Sequence, residues 1–381
     1  MTHARDSRSY QVPSRFLFIV TSVALCVAFA MPTLSSHAAD KSPRLTAWSG
    51  PESVAPARWV DDLRPIREAD WNYDRAAHLL ERAGFSGTPA EIERLAAMTP
   101  LQAVDYLVEY EAIPEEFTPY DSPPIWGKEM DTGVNRHMEF LEALDYAKKV
   151  SGEFYGIKVD ESAEYPYQEI AKIAAFKLFS SHSEWARMAE WWANRMVETP
   201  RPLEEKMTLF WHGHFANQIN KTEDHRVLFN QNLTFRRLAT TNFRKLLVAL
   251  SQDPSMLIFL DNRRNTKEDS NENYAREIME LFALGIGNYT EMDIKEVGRA
   301  FTGWRNEGLR FINDPTLHDE GQKTIFGKTG NWDGYDAVDL ILEQEVCAEW
   351  MAGKLHRFFV RQDMSPELKT ELAAVFRDSD Y

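Results

Sequence analysis

Apolar positions along most of the chain recur every three or four residues, the spacing of helices with one buried face. "DRAAHLLERAGF", Asp74 to Phe85, has this spacing and ends at Gly84. "TPAEIERLAAM" follows, opening on Thr88, Pro89 and Glu91, and "TPLQAVDYLVEY" repeats the grammar with Thr99, Pro100 and Gln102. In both, the threonine hydroxyl takes an otherwise unpaired amide, the acid or amide side chain reaches back, and proline has no amide to lose. Ile113 to Gly133 holds four prolines and reads as a long loop. Helical periodicity resumes over Asn135 to Phe154 and Glu164 to Val197, and "SPELKTELAAVF" near the end opens again on Ser-Pro. Strand signals are few, and the best is Leu309 to Phe326, where "LRFIN" and "KTIF" flank a turn-rich middle. No tandem repeat is visible. The pattern predicts a mainly α, multi-helix globular domain with a small hairpin or irregular insert near 309–334.

Two helical stretches carry the candidate chemistry. "PLEEKMTLFWHGHFANQI" reads as a helix from Pro202, with Leu203, Met207, Phe210, Trp211, His214 and Phe215 on one apolar face. His214 then faces the core, and His212 lies about 200° round the helix from it. Helical histidines at i and i+2 cannot grip one ion together. They could do so only if Gly213 broke the helix. The plainer reading makes His214 a buried, hydrogen-bonded histidine and His212 its satellite.

The second stretch is "NENYAREIMELFALGIGNYTEMDIKEVGRAFTGW", Asn271 to Trp304. Tyr274, Ile278 and Leu281 share one side, and Glu272, Arg276 and Glu280 are spaced to pair at i, i+4. Gly285 is expected to be a left-handed cap. Thr290 and Asp293 start a further helix whose apolar side is Ile294, Val297 and Phe301. The plain reading is a helical hairpin with surface ion pairs. The sharper one turns Glu277 inward to meet His214, because a charged side chain does not enter a core without a partner.

A third block, "HDEGQKTIFGKTGNWDG", His318 to Gly334, offers His318 and Asp319 as ligands or acid–base groups, or as solvated loop residues. Its "GKT" is not a phosphate loop: five residues separate Gly321 from Gly327 where four are needed. No nucleophile elbow, dinucleotide fingerprint or c-type haem motif is present.

The N-terminus changes the picture of where the chain works. Arg5, Arg8 and Arg15 precede "FLFIVTSVALCVAFAM", and Pro32 and Ser36-His37-Ala38 follow it. This is the pattern of a secretory signal peptide over 1–38; sixteen apolar residues are short for a membrane span, which needs about 20. An extended polar linker, 39–70, and a single helical domain, 71–381, are expected after it. The mature chain would carry 40 basic against 58 acidic residues, a net −18, and one cysteine, Cys347. Such a charge repels nucleic acid, and one cysteine allows no internal disulfide. An exported, periplasmic or extracellular protein with no stable membrane span after cleavage is expected.

Four of these segments, in this order, closely resemble the domain of unknown function 1800 family of bacterial proteins: "PLEEKMTLFWHGHFA", "DPSMLIFLDNRRN", the Asn271–Trp304 block and "HDEGQKTIFGKTGNWDG". "AAHLLERAGFSGTPAEIERLA" and "GKLHRFFV" match it too, so the resemblance runs from about Asp70 to the end. It implies an exported, mainly helical bacterial protein and supplies no reaction. The family's domain usually continues beyond Tyr381, which leads to the expectation of a C-terminally truncated piece.

Two function classes stand side by side. In the first, His212 and His214 bind a divalent metal such as zinc, and Glu277, His318 and Asp319 serve a metal-assisted or acid–base hydrolysis. In the second, the chain is a binding or scaffold protein of the cell envelope, its histidines and acids form buried pairs that fix helix packing, and its aromatics face an envelope protein or a glycan. The two part on whether these side chains converge on one cavity.

Overall fold

The computed structural model describes residues 63–115, 117–120, 153–154, 157–158, 162 and 184–381. The expected signal peptide, the linker before Leu63 and the periodic stretches 135–152 and 164–183 lie outside the described residues. So does the proline-rich loop past Tyr120. Residues 61–381 form a compact unit.

The N-terminal helices start where their capping signals place them. Helix α1 is Tyr73–Ala83, α2 Pro89–Ala96 and α3 Pro100–Val108. Thr88–Glu91 and Thr99–Gln102 both close complete capping boxes. Ala76, Leu80, Ile92, Leu95, Ala103 and Leu107 bury the faces that these helices share. Where the 135–154 helical expectation ends, the structure corrects it: Glu153–Phe154 (β1) pairs antiparallel with Ile157–Lys158 (β2). Aromatic and β-branched residues around Gly156 suit a hairpin better than another helical turn.

Residues 184–198 are helical (α4). The main body follows: α5 Pro202–His214, α6 Ile219–Thr222, α7 His225–Arg237, α8 Phe243–Ser251 and α9 Pro254–Phe259. Next, α10, Asn273–Glu277, runs straight into a π-helical turn, Ile278–Ala283. After α11, Glu291–Ala300, come two hairpins, then α12 Gly334–Leu342, α13 Glu345–Phe359 and α14 Pro366–Asp378. The apolar face read on α5 is the buried one: Met207, Phe210, Trp211 and Phe215 join Phe235, Phe243, Leu246, Ile278, Ile294 and Phe301 in one core.

The π turn explains one departure from the periodic reading. Tyr274 and Ile278 are buried as expected, but Leu281 is 44% exposed. Leu284 N–H bonds Met279 O at 2.9 Å, five residues back. The extra residue per turn rotates Leu281 off the face that a regular helix would give it. Gly285 ends the helix in the left-handed region, φ +82°, as expected.

The two strand signals do not pair with each other. "RFIN", Arg310–Asn313 (β4), pairs with Trp304–Glu307 (β3), and Lys323–Ile325 (β5) with Lys328–Gly330 (β6). The second turn has φ +47° at Phe326 and +75° at Gly327, the two positive values a tight type I′ hairpin needs. Asp293 Oδ1 accepts the Phe326 N–H at 2.8 Å and helps hold it there. "GKT" is therefore a hairpin tip and strand.

A buried ionic knot joins α4, α5 and α7. Glu205, fully inaccessible, accepts from Arg195, from Arg236 and from Trp192 Nε1 at 2.9 Å, while Arg236 Nη2 also donates to Asn232 Oδ1 at 2.9 Å. Burial alone would raise the Glu205 carboxyl, but hydrogen bonds from Arg236 and Arg195 outweigh it and hold it below the usual carboxylate range. Glu204, beside it, is pushed up by burial. The acidic first turn of α5 is thus interior structure.

Removing one partner of a buried pair strands the other charges. Glu205→Ala is expected to cost about 3–5 kcal/mol in denaturant unfolding. Asp339→Ala, at the exposed pair with Arg244, should cost less than about 1 kcal/mol. Equal losses would contradict the interior role of the knot.

Candidate functional site

Helix α5 stays helical through Gly213 to His214. The break that would let His212 and His214 face one ion does not occur, and the two rings go separate ways. His214 is 8% exposed, between Phe210, Phe215 and Phe282. Its Nε2 lies 3.0 Å from the Phe282 carbonyl, so Nε2 carries the hydrogen and donates it. Its Nδ1 lies 3.2 Å from Lys354 Nζ and accepts from that ammonium. Neither ring nitrogen keeps a lone pair for a metal. Burial, reinforced by the Lys354 charge, lowers the ring pKa to about 3, so the neutral tautomer persists.

Lys354, on α13, belongs to the same arrangement. Its Nζ also donates to Leu281 O at 2.8 Å and stands 4.8 Å from the Trp350 ring centroid. Burial lowers it to about 8. Trp350 Nε1 donates to Leu281 O at 3.2 Å, and Asn288 Nδ2 to Leu284 O at 3.0 Å. Four side chains thereby satisfy carbonyls that the end of the π turn leaves unpaired. A cation at this end also meets the negative pole of the helix.

His212 turns instead toward Trp192, ring centroids 5.0 Å apart, and forms part of the wall of a cavity of about 470 Å³ with Trp185, Met188, Asn217 and Asn232. Burial lowers its pKa. Glu277 does not meet His214: the ring's nitrogens are both taken, and among the described residues the Glu277 carboxylate makes no hydrogen bond. It is half-buried, and burial together with Glu280 raises its pKa. Arg276, its neighbour, pairs with Glu272 as the spacing predicts and forks onto Glu291 at 3.0 and 2.9 Å. Glu280 accepts instead from Tyr289 OH at 2.7 Å.

His318 and Asp319 follow the β3–β4 hairpin and face different partners. Asp319 is clamped by Arg299, Nε at 2.7 Å and Nη2 at 3.2 Å, and that fork holds its carboxyl down to about 2. Asp319 is therefore a fixed anion of the loop, unsuited to proton transfer near neutrality. His318 donates Nδ1–H to Thr302 O at 2.9 Å. Its ring lines a recess of about 230 Å³ with Trp304, Asn313, Glu320, Asn331 and Asp333.

Against the family models, residues 78–381 match one described as a protein of unknown function, DUF1800. The chain belongs to this family. No curated protein and no solved structure matches it.

In this DUF1800 chain the five candidate residues therefore do not form one constellation. Among the described residues no group of three or more His, Cys, Asp or Glu side chains is placed to hold a metal ion, so the donor set expected for zinc is not assembled there. Lys354, Trp304, Glu320, Asn331 and Asp333 were not among the expected site residues. Lys354 had a signal, the cation that with His356 and Arg357 makes "GKLHRFF" a basic and aromatic run. So did Asp333, which opens the capping box of α12.

The neutral His214 makes a prediction about acid. Its folded pKa, about 3, lies below the ordinary 6.5. Between those values the unfolded chain binds a proton that the native one does not, so the His214 contribution to stability falls as pH drops from 6.5 toward 3 and is constant above 6.5. Unfolding of the wild type should steepen with acid across that window more than that of His214→Gln. Parallel pH profiles would contradict the assignment.

Proposed function

We propose that the chain is an exported binding protein of the cell envelope, periplasmic or extracellular, whose candidate histidines and acids hold helices together while ligand or partner is met elsewhere on its surface. The observation that carries this reading is the commitment of His214: one nitrogen closes a helix end, the other receives Lys354. The Glu205 knot has the same character. Export is supported by the basic, apolar and small-residue succession of the first 38 residues. Among the described residues no helix is long and apolar enough to cross a membrane.

The alternative, a metal-assisted or acid–base hydrolase, keeps one supporting observation, the unbonded and half-buried Glu277. A general acid or base needs a reacting group within hydrogen-bond reach and a neighbouring group to complete the step. Glu277 shares no hydrogen bond with His212, His214, His318 or Asp319.

A double-mutant cycle separates the two. His214→Phe and Lys354→Met should each lower stability by about 1–3 kcal/mol, the cost of a stranded buried polar group. Their combination should cost less than the sum, with a coupling of about 1 kcal/mol or more. Melting of the purified wild type should be unchanged by a chelator. Variants as stable as wild type, or a chelator-induced fall in melting temperature, would favour the hydrolase.

A further inference from the structure

The cavity beside His212 lies among four helices and holds a polar atom that the fold leaves open. Trp185, Met188, Ala189 and Trp192 follow one another at i, i+3, i+4 and i+7 on one face of α4. His212 comes from the last turn of α5, Asn217 from the loop before α6, and Leu228 and Asn232 from successive turns of α7. Asn232 is 5% exposed. Its Oδ1 accepts from Arg236 Nη2 at 2.9 Å, and a guanidinium can only donate, so the remaining atom is the amide nitrogen. Among the described residues that Nδ2 makes no hydrogen bond. Nor is it one of the sealed, unpaired side-chain atoms, which belong to Glu204, Arg236, Arg263, Trp304, Asn306 and His356. It is therefore accessible, and the space that Asn232 lines is the cavity.

His212 is open in the same way. Among the described residues it makes no hydrogen bond, and neither ring nitrogen is sealed. Burial lowers its pKa, so near pH 7 the ring is neutral and offers one N–H and one lone pair. The rest of the wall is fixed. Trp192 Nε1 donates to Glu205 Oε2 at 2.9 Å, which locks the indole against which the His212 ring stands edge to face. Asn217 uses Oδ1 on the Gln218 N–H at 2.7 Å and Nδ2 on Ser255 Oγ. Met188, Ile219 and Leu228 pack together as an aliphatic wall, and Trp185, 41% exposed, carries that wall out to solvent.

That inventory discriminates between ligand classes. Among the described residues lining the cavity none is an acid, a lysine or an arginine. An ion of either sign would give up its hydration for no opposite charge. A sugar would bring a hydroxyl on nearly every carbon against Met188, Ile219 and Leu228, where those hydroxyls have no partner. A hydrocarbon would suit the walls but leave the Asn232 amide without an acceptor. A carbonyl group answers that amide and brings no donor of its own to bury. The volume, about 470 Å³, falls within the roughly 300–1,000 Å³ of small-molecule pockets, which pair apolar walls with a few placed polar groups. Loosely held water leaving such walls favours an apolar occupant.

We propose that the cavity among α4, α5, α6 and α7 binds a neutral, mainly apolar small molecule that carries a carbonyl group, its apolar body against Trp185, Met188, Trp192 and Leu228 and its carbonyl oxygen accepting from Asn232 Nδ2. The His212 ring supplies a second polar contact. This inference deepens the binding reading above and rests on it, parting from it at one residue: His212 serves the ligand, while His214 serves the frame.

The test is a titration of the full chain, watched at the His212 ring-nitrogen signals, which His212→Phe identifies by their disappearance. The probes are benzamide and acetanilide, each up to about 10 mM, a range that covers millimolar affinity. Toluene, benzoate, benzylamine and D-glucose are the comparisons. A saturable shift with at least one amide is expected, with toluene binding about tenfold more weakly, some 1.4 kcal/mol, and no saturable shift with the two ions or the sugar. Asn232→Asp keeps an acceptor for Arg236 and removes the donor, and should weaken amide binding about tenfold or more. Ala189→Phe, at an exposed position of the α4 wall, should block the cavity with melting unchanged. No saturable shift with either amide, binding of any comparison as tight as the amides, or amide binding that survives Ala189→Phe would overturn the proposal. Each of those results leaves the His214–Lys354 cycle intact, whereas a cycle without coupling would remove the reading on which the proposal stands.

Discussion

Every helix ends with carbonyls that have no partner of their own, and closing those ends from a distance is the constraint on which this fold depends. The end of the π turn is closed by His214, Lys354, Trp350 and Asn288. The end of α13 is closed by Arg82 of α1, which donates to Phe358 O, Phe359 O and Val360 O. Trp211 of α5 reaches Ala239 O just past α7 at 2.8 Å, and Asn262 reaches Phe301 O and Trp304 O past α11. Most of these bonds tie the end of one element to a side chain distant in sequence. A buried carbonyl left unmet costs about 1–3 kcal/mol, so shifting one helix would unsatisfy several ends at once.

This arrangement decides what the conspicuous polar residues can do. An imidazole that donates from one nitrogen and accepts at the other is a connector, and its burial among phenylalanines keeps it neutral. The same holds for Glu205, whose oxygens are taken by two arginines and an indole. The groups with capacity left over are elsewhere, around the β3–β4 hairpin and the start of α12, where His318, Glu320, Asn331 and Asp333 line one recess. In this structure most conspicuous residues in the helices support the frame, and open chemistry sits where hairpin, loop and helix start converge and in the cavity that His212 and Asn232 line.

What was legible in the sequence was what is decided within a few residues. Thr88, Thr99, Thr290 and Ser365 cap helices that begin where the sequence places them, and Gly285 takes the positive φ expected of it. The buried face of α5 and the core orientation of His214 were readable from spacing alone. The partner of His214 was not, because Lys354 lies 140 residues away and no local pattern connects them. Leu281 was misplaced because a π turn leaves the period of an ordinary helix. "LRFIN" and "KTIF" were recognisable as strands, but their pairing partners depended on turns at Gly308 and Phe326-Gly327. Nothing in the local sequence marks Glu204 and Glu205 as interior; Arg195 and Arg236, brought in by α4 and α7, make them so. Of the candidate site, His318 was found, while Trp304 and Asp333 gave no sign of sharing a recess with it.

The protonation of His214 tests the account most directly. Nitrogen NMR of the imidazole near pH 7 should find Nε2 protonated, hydrogen-bonded to a carbonyl, and Nδ1 bare of hydrogen, with no change on adding a chelator. A doubly protonated ring, a hydrogen on Nδ1, or a nitrogen signal that moves when metal is stripped would show that the histidine does not close the helix end, and the assignment of these residues to the frame would fall.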